Sequence, residues 1–367
     1  MTLPVPVKVI DPVQSTVYSA YLVHASDGYR LDRSKPVIAD PEVFISPGWI
    51  DLHAHVYDGV APLSVLPDEV GLNTGVHVLA DAGSAGEATV KGLRRYVAPQ
   101  FETEIVSWLN ISSIGLVHLR EGSDLSLINV DRTVQAVLEH RPFVCGVKVR
   151  SSGMIVGSMG LQPLQLALLA AKEAGVPLMV HIGEAPPLID DVLNLLREGD
   201  VITHCYHGKL GHPWEADGRA GPALERALAR GVLLDVGHGA ASFNFDICER
   251  ALAAGHLPFS ISTDIHMGNI NGPVYDLPTT MSKFLACGMD LEKIIAAVTL
   301  APSAVLGIQD RMRMDGVLSN ATLFRVSDEP IPRRVFRDAN GNDRIPLQTI
   351  VPTATIKGSR YREITYP

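Results

Sequence analysis

The sequence predicts an α/β protein: a closed parallel (β/α)8 barrel of the TIM type, accompanied by a small β-sandwich built from both chain ends. Three observations lead there. Eight short β-rich runs alternate with helical periodicity, both ends of the chain are β-rich without strong helical patterning, and six potential metal ligands fall where apolar runs end. Those six are His53, His55, Lys148, His181, His204 and Asp264, in chain order. A parallel barrel gathers the carboxyl ends of its strands on one face, so ligands dispersed in sequence would converge in space.

A chain of 367 residues holds a barrel of about 250 residues and a smaller companion. The expected ranges are 1–47 and 308–367 for the two parts of the sandwich and 48–307 for the barrel. The eight runs are 48–56, 76–82, 105–111, 143–150, 177–182, 201–206, 232–236 and 259–264. Helical patterns at 161–174, 188–197, 222–230, 245–254 and 291–306 separate most of them. Glycines mark the exits: Gly175 follows one helical pattern just before the run at 177, and Gly231 repeats that design. At the ends, 7–10 and 17–24 read as strands around the turn-prone Asp11-Pro12, and 321–326 and 349–357 read as their counterparts. The stretch 327–346, with Pro330, Pro332 and Asn340-Gly341, reads as an exposed excursion.

Composition narrows the function. A hydrophobic fraction of 46% with 19% charged residues describes a soluble globular chain with a large core. A net charge of -9 without a basic run argues against nucleic acid as the main partner. Cys145, Cys205, Cys248 and Cys287 are scattered without a CxxC pair and read as thiols in a reducing compartment. No signal peptide or membrane-length apolar stretch is evident, so the expected location is the cytoplasm, with no membrane partner. A small-molecule substrate is expected, and a homo-oligomer is left open.

The ligand types explain the chemistry. Strand alternation in 49–56 puts Asp51, His53 and His55 on one face and Ile50, Leu52, Ala54 and Val56 on the other, so two imidazoles point inward together, with Asp51 placed to steady a ligand from behind. The same alternation turns Gly146, Lys148 and Arg150 inward. An inward ammonium would repel cations, but carboxylation by carbon dioxide makes Lys148 an anion able to bridge two of them. His181 and His204 would hold the second ion, and Asp264 would bind metal and accept a proton from bridging water as general base. Two divalent metal ions, zinc by ligand type, are therefore expected. Each residue alone has a plainer reading: a lone buried histidine is more often a hydrogen-bonded core residue, and a lone inward lysine more often an ion pair. Their joint occurrence at the ends of successive runs favours the metal centre. His207, His212, His238 and His266 fall on expected mouth loops, where a capping role competes with substrate contact.

At these residues the chain resembles the amidohydrolase superfamily, in the branch whose binuclear centre is bridged by a carboxylated lysine. Pro47-Gly48-Trp49-Ile50-Asp51-Leu52-His53-Ala54-His55 looks like its opening signature, and the lysine, the later histidines and the aspartate follow in order. The motifs at 81–86, 205–208 and 269–278 resemble a dihydroorotase-like or deacetylase group. That resemblance implies deacetylation of small acylated acids, either O-acyl α-hydroxy acids or N-acyl amino acids. Dihydroorotase places an arginine two residues beyond its HxH pair, where this chain has Tyr57. Arg150 becomes the substitute carboxylate anchor, with Tyr57, Tyr206 and His207 as further substrate-binding candidates. A cyclic amidase of the dihydroorotase or hydantoinase kind is the alternative within the class. A non-catalytic assembly protein on a hydrolase scaffold is the alternative outside it.

Overall fold

A computed structural model describes residues 4–37 and 40–367. Residues 1–3 and 38–39, part of the expected 1–47 range, lie outside the described residues. Four strands come first: β1 (Val5–Asp11), β2 (Thr16–Ala25), β3 (Gly28–Asp32) and β4 (Phe44–Pro47). Seven barrel strands follow: β5 (Trp49–Ala54), β6 (Val76–Gly86), β7 (Glu104–Asn110), β8 (Val144–Ser151), β9 (Leu178–Ile182), β10 (Val201–Thr203) and β11 (Leu233–Asp235). The tail adds β12 (Asn320–Ser327), β13 (Phe336–Arg337), β14 (Asp343–Arg344), β15 (Thr349–Lys357) and β16 (Arg360–Glu363).

The two chain ends pair into one seven-stranded sheet, ordered β16-β15-β12-β4-β1-β2-β3, with its own apolar cluster that includes Val7, Val9, Leu22, Ile45, Leu323 and Ile356. All seven strands belong to one hydrogen-bonded sheet, the β domain expected from the two chain ends. Antiparallel pairing of β4 with β12 joins the halves directly.

In the barrel, β5 to β11 run parallel in sequential order. The eighth unit has no continuous ladder, yet it closes the circle through bridges from Asp235 to Ser260 and from Ala54 to Ile265. Asp264 N–H donates to His53 O at 2.7 Å, and His238 N–H donates to Ser262 O at 3.1 Å. The ladder breaks because Asp264 takes a left-handed backbone, φ 49°. Alternation also fails at the end of β5, where the register shifts between Asp51 and Ala54. Leu52 consequently packs with Trp108, Met179 and Val201 rather than on the helix-facing side.

Helices cover the outside much as the periodicity predicts, at Gln162–Ala174, Ile189–Leu195, Pro222–Ala229 and Phe245–Ala253. The pattern at 291–306 divides into Leu291–Ala297 and Leu300–Leu306, because Thr299 leaves helical geometry. Beyond short turns such as Pro67–Val70 and Gly153–Val156, two ten-residue helices lie outside the sequence expectation among the described residues, Val130–Glu139 and Leu277–Ala286. Each begins on an N-cap: Asn129 accepts from Arg132 N–H, and Asp276 accepts from Thr279 N–H. The excursion after β12 is only half exposed. Ile345 and Leu347 face solvent, but Ile331, Phe336 and Asp338 are buried, and β13 pairs with β14 against the barrel mouth. Among the described residues no single helix is long and apolar enough to cross a membrane.

Candidate metal centre

All six predicted ligands meet at the carboxyl face. His53 and His55 leave β5, Lys148 lies on β8, His181 on β9, His204 follows β10, and Asp264 lies in the closing unit. Asp264 Oδ1 is 3.0 Å from His55 Nε2 and 3.3 Å from His53 Nε2, while its Oδ2 is 4.0 Å from His204 Nε2. The rings of His181 and His204 stand edge to face, 4.3 Å between centroids. Lys148 Nζ reaches within 3.4 Å of His53 Nε2.

Hydrogen bonds behind the imidazoles set which nitrogen faces inward. Thr203 Oγ1 donates to Asp235 Oδ2 at 2.7 Å, so its lone pair accepts from His53 Nδ1–H at 2.9 Å. Nε2 of His53 is then a bare lone pair toward the centre. His204 Nδ1–H donates to Gly237 O at 2.6 Å, which leaves its buried Nε2 with no partner. His55 Nδ1 meets Ser84 Oγ at 3.0 Å, and Ser84 N–H is anchored on Asp81. A buried, unpartnered imidazole nitrogen beside a carboxylate and two further imidazoles is the donor set a divalent cation takes, so these residues fit a metal.

The electrostatics agree. Burial, reinforced by Lys148 and neighbouring imidazoles, keeps His53 and His181 neutral, and burial brings His204 down to about 4. Asp264 is pushed upward by burial, but His53, His55 and His204 outweigh that and hold its carboxyl well below the usual range. Burial lowers Lys148 to about 7. Asp51 sits where the sequence put it: it accepts from Thr263 N–H at 3.0 Å and from His53 N–H at 3.2 Å. Burial pushes its carboxyl up to about 7.

Two backbone outliers aim this cluster. His204 and Asp264 both have positive φ, 72° and 49°, a conformation non-glycine residues avoid and one that collects at functional sites. The twist at His204 is why Thr203 and His204, consecutive in sequence, both reach the centre.

Above the ligands lies a cavity of about 650 Å³. Leu63, Leu116, Met154, Ile155 and Pro186 form its apolar wall, and Arg150, Ser152, Glu184 and Lys209 its polar one. Of the four substrate-binding candidates only Arg150 lines it. Glu121 and Leu119 O take the Nε and Nη2 edge of that guanidinium, which leaves Nη1 for a ligand. The other three are corrected by their partners. Tyr57 donates to Thr89 O, Tyr206 donates to His256 O while stacked on Trp214, and His207 is buried with Nδ1 accepting from Lys209 N–H. Sequence reasoning missed Thr203, Ser84 and Asp235, and also the Lys209–Glu184 pair at 2.7 Å. Thr203 beside His204, and Ser84 within the motif at 81–86, carried the local signals.

Imidazoles and a carboxylate gathered over a substrate-sized cavity, at the carboxyl face of a parallel barrel, are the working parts of a barrel hydrolase. No family model matches the sequence. The chain is 42% identical over 328 residues to a deacetylase of Agrobacterium fabrum (strain C58), covering 87% of this chain and 80% of that protein. It is 38% identical over 325 residues to a deacetylase of Enterococcus faecalis, covering 88% and 87%. The crystal structure of a dihydroorotase superposes with TM-score 0.87 at 36% identity over 98% of both chains. That of an adenine deaminase does so with TM-score 0.87 at 33% identity over 98% and 100%. The chain belongs to the amidohydrolase superfamily, in its deacetylase-like group.

Proposed function

We propose that this protein is a metal-dependent deacetylase of small acylated acids, cleaving O-acyl α-hydroxy acids or N-acyl amino acids. The observation that carries the reading is the Asp264 carboxylate seated within 3.0 and 3.3 Å of two imidazole nitrogens. Deacetylase relatives at 38–42% identity give it a direction. His53, His55 and Asp264 would hold one divalent cation, and His181 and His204 a second, with carboxylated Lys148 between. Zinc suits the nitrogen and oxygen donors. Bound there, such ions supply Lewis acidity that acidifies water and polarises a carbonyl.

The chain's own residues do the rest. Asp264 accepts the proton of the attacking water and returns it to the departing alkoxide or amine. Arg150 offers Nη1 to the substrate carboxylate, while Met154, Ile155 and Leu116 shelter the acyl group from solvent. The four free cysteines fit a reducing cytoplasm, and a small molecule alone is the expected partner. The test is a screen of N-acyl and O-acyl acids with the zinc-loaded protein, alongside metal analysis. Hydrolysis with about two zinc ions per chain is expected; inertness toward every acyl ester and amide would remove the reading.

A cyclic amidase is the second reading, favoured by the likeness to a dihydroorotase structure. Faster opening of dihydroorotate or a hydantoin than of any acyl ester would establish it. Tyr57 in place of an arginine, hydrogen-bonded to Thr89 O, weighs against it.

A further inference from the structure

Lys283 is fully buried on the helix Leu277–Ala286, well behind the ligands. Its ammonium has three N–H donors and meets three acceptors: His238 Nε2 at 2.7 Å, Pro273 O at 2.8 Å and Arg337 O at 2.8 Å. His238 Nδ1–H donates to Gly239 O at 2.8 Å, so its Nε2 is bare and must accept from Lys283. The three acceptors come from three separate segments. They are the loop after β11, the loop after the closing unit, and β13 of the C-terminal excursion.

The first of those segments touches the metal centre on both sides. Gly237 O receives the Nδ1–H of His204, and a Cβ on Gly239 would stand 2.6 Å from Asp264 Oδ2. Both glycines have positive φ, 47° and 54°, so the loop presses closer than any residue with a side chain could. The ring of His238 stacks on Phe243 with centroids 4.6 Å apart. The excursion is fastened to the same place: Ala339 N–H donates to Phe243 O at 2.9 Å, and Asp338 Oδ2 accepts from Phe245 N–H at 3.1 Å.

We infer that Lys283 is a positioning residue: through His238 it clamps the 237–239 loop against the C-terminal excursion and so fixes the orientation of His204 and the seat of Asp264. The C-terminal excursion, whose Asp338 meets Phe245 across 93 residues of sequence, thereby braces the centre. The inference rests on His204 and Asp264 being ligands, so the test carries one readout that does not need metal.

Lys283→Met keeps the volume and removes the donors; His238→Phe keeps the stack on Phe243 and removes the acceptor. Each purified protein is compared with the parent by circular dichroism, by hydrogen exchange without metal, by zinc loss to a chelator, and by kcat and KM. With the fold retained, Lys283→Met is expected to speed exchange at 237–239 and 336–344 together. Zinc loss should quicken about tenfold, and kcat should fall by about ten- to a hundredfold with KM unchanged, as for other residues that orient a ligand. Lys283→Arg should recover part of both. The double variant should lose less than the sum of the two single variants, because both changes break the Lys283–His238 bond. Unchanged exchange at 237–239, additive losses in the double variant, or a lowered Tm with zinc retention and kcat intact would each overturn the inference. If the parent binds no zinc, the ligand reading fails, and the exchange data still decide whether the clamp exists.

Discussion

Lys148 at the centre of the barrel mouth and Lys283 behind its outer loop are both fully buried, and burial lowers both ammonium groups to about 7. Their surroundings are opposite. Lys283 has an acceptor for each of its donors within 2.7–2.8 Å. Lys148 has His53 Nε2 at 3.4 Å as its hydrogen-bond neighbour and faces nitrogen lone pairs that suit a cation. A buried ammonium with few partners costs several kcal/mol by order of magnitude, whereas one that is fully bonded can persist. The contrast is one of partners: the same residue, equally buried, has an acceptor for every donor at one place and a sparse, imidazole-lined setting at the other. That sparse setting is what the proposed carboxylation of Lys148 would use, since a carbamate there would offer two oxygens where the ammonium has few acceptors.

The widest separation between the two comes from deleting each amine. For Lys148→Ala, kcat should fall by at least ~10³-fold, about 4 kcal/mol of transition-state stabilisation, and zinc should drop from two ions to one or fewer. Lys283→Met should cost far less and leave both ions bound. Metal analysis with initial rates on the best acyl substrate measures both. Equal losses in the two variants would erase the distinction, and full activity in Lys148→Ala would remove the bridge from the mechanism.

The support behind the ligands gives a middle-sized effect. Thr203→Val keeps the shape and removes the acceptor of His53 Nδ1–H, which frees the ring to turn. About 10–100-fold weaker zinc binding is expected, with little change in Tm. Competition against a chromogenic chelator reads the affinity. If affinity holds, the tautomer of His53 is fixed by some other contact and the centre is less dependent on its surroundings than Lys148 suggests.

Much of this was legible in the chain because strand ends and helix exits carry local signals. His53, His55, Lys148, His181 and His204 announce themselves at the ends of apolar runs, and Gly175 and Gly231 close helices where expected. The helix Leu277–Ala286 was missed for a physical reason: it is buried nearly all round, so it has no polar stripe to produce a period. The eighth strand was legible as a run but not as a broken ladder, because the left-handed Asp264 is imposed by contacts with His53 and His55 rather than by its neighbours in sequence. Tyr57, Tyr206 and His207 were misjudged alike. Proximity to a ligand in sequence put them near the mouth, and only tertiary partners such as Thr89 O and His256 O show that they turn away. Thr203 and His53 meet across 150 residues, beyond the reach of any local pattern.

A third lysine completes the comparison with the smallest expected effect. Lys209, at the cavity rim, pairs with Glu184 at 2.7 Å, and Ser152 Oγ donates to the other carboxylate oxygen at 2.7 Å, so the loops after β8, β9 and β10 are tied together. Partial burial pushes the Glu184 carboxyl up, but the bonds from Lys209 and Ser152 outweigh it and bring it down to about 2 from an ordinary 4.5. A carboxyl lowered on folding stabilises the fold fully above its unfolded value and loses that contribution as pH falls from 4.5 toward 2. Glu184 is 61% exposed, so solvent screening keeps the pair to roughly 0.5 kcal/mol. Glu184→Gln should therefore melt about 1 °C lower than the parent at pH 6, with the gap narrowing as pH falls below 4.5, closing only near pH 2, and narrowing in high salt. A gap that is the same at every pH would mean the tie is steric rather than ionic. Lys209 would then belong with Lys283, as a lysine that acts through the geometry of its donors.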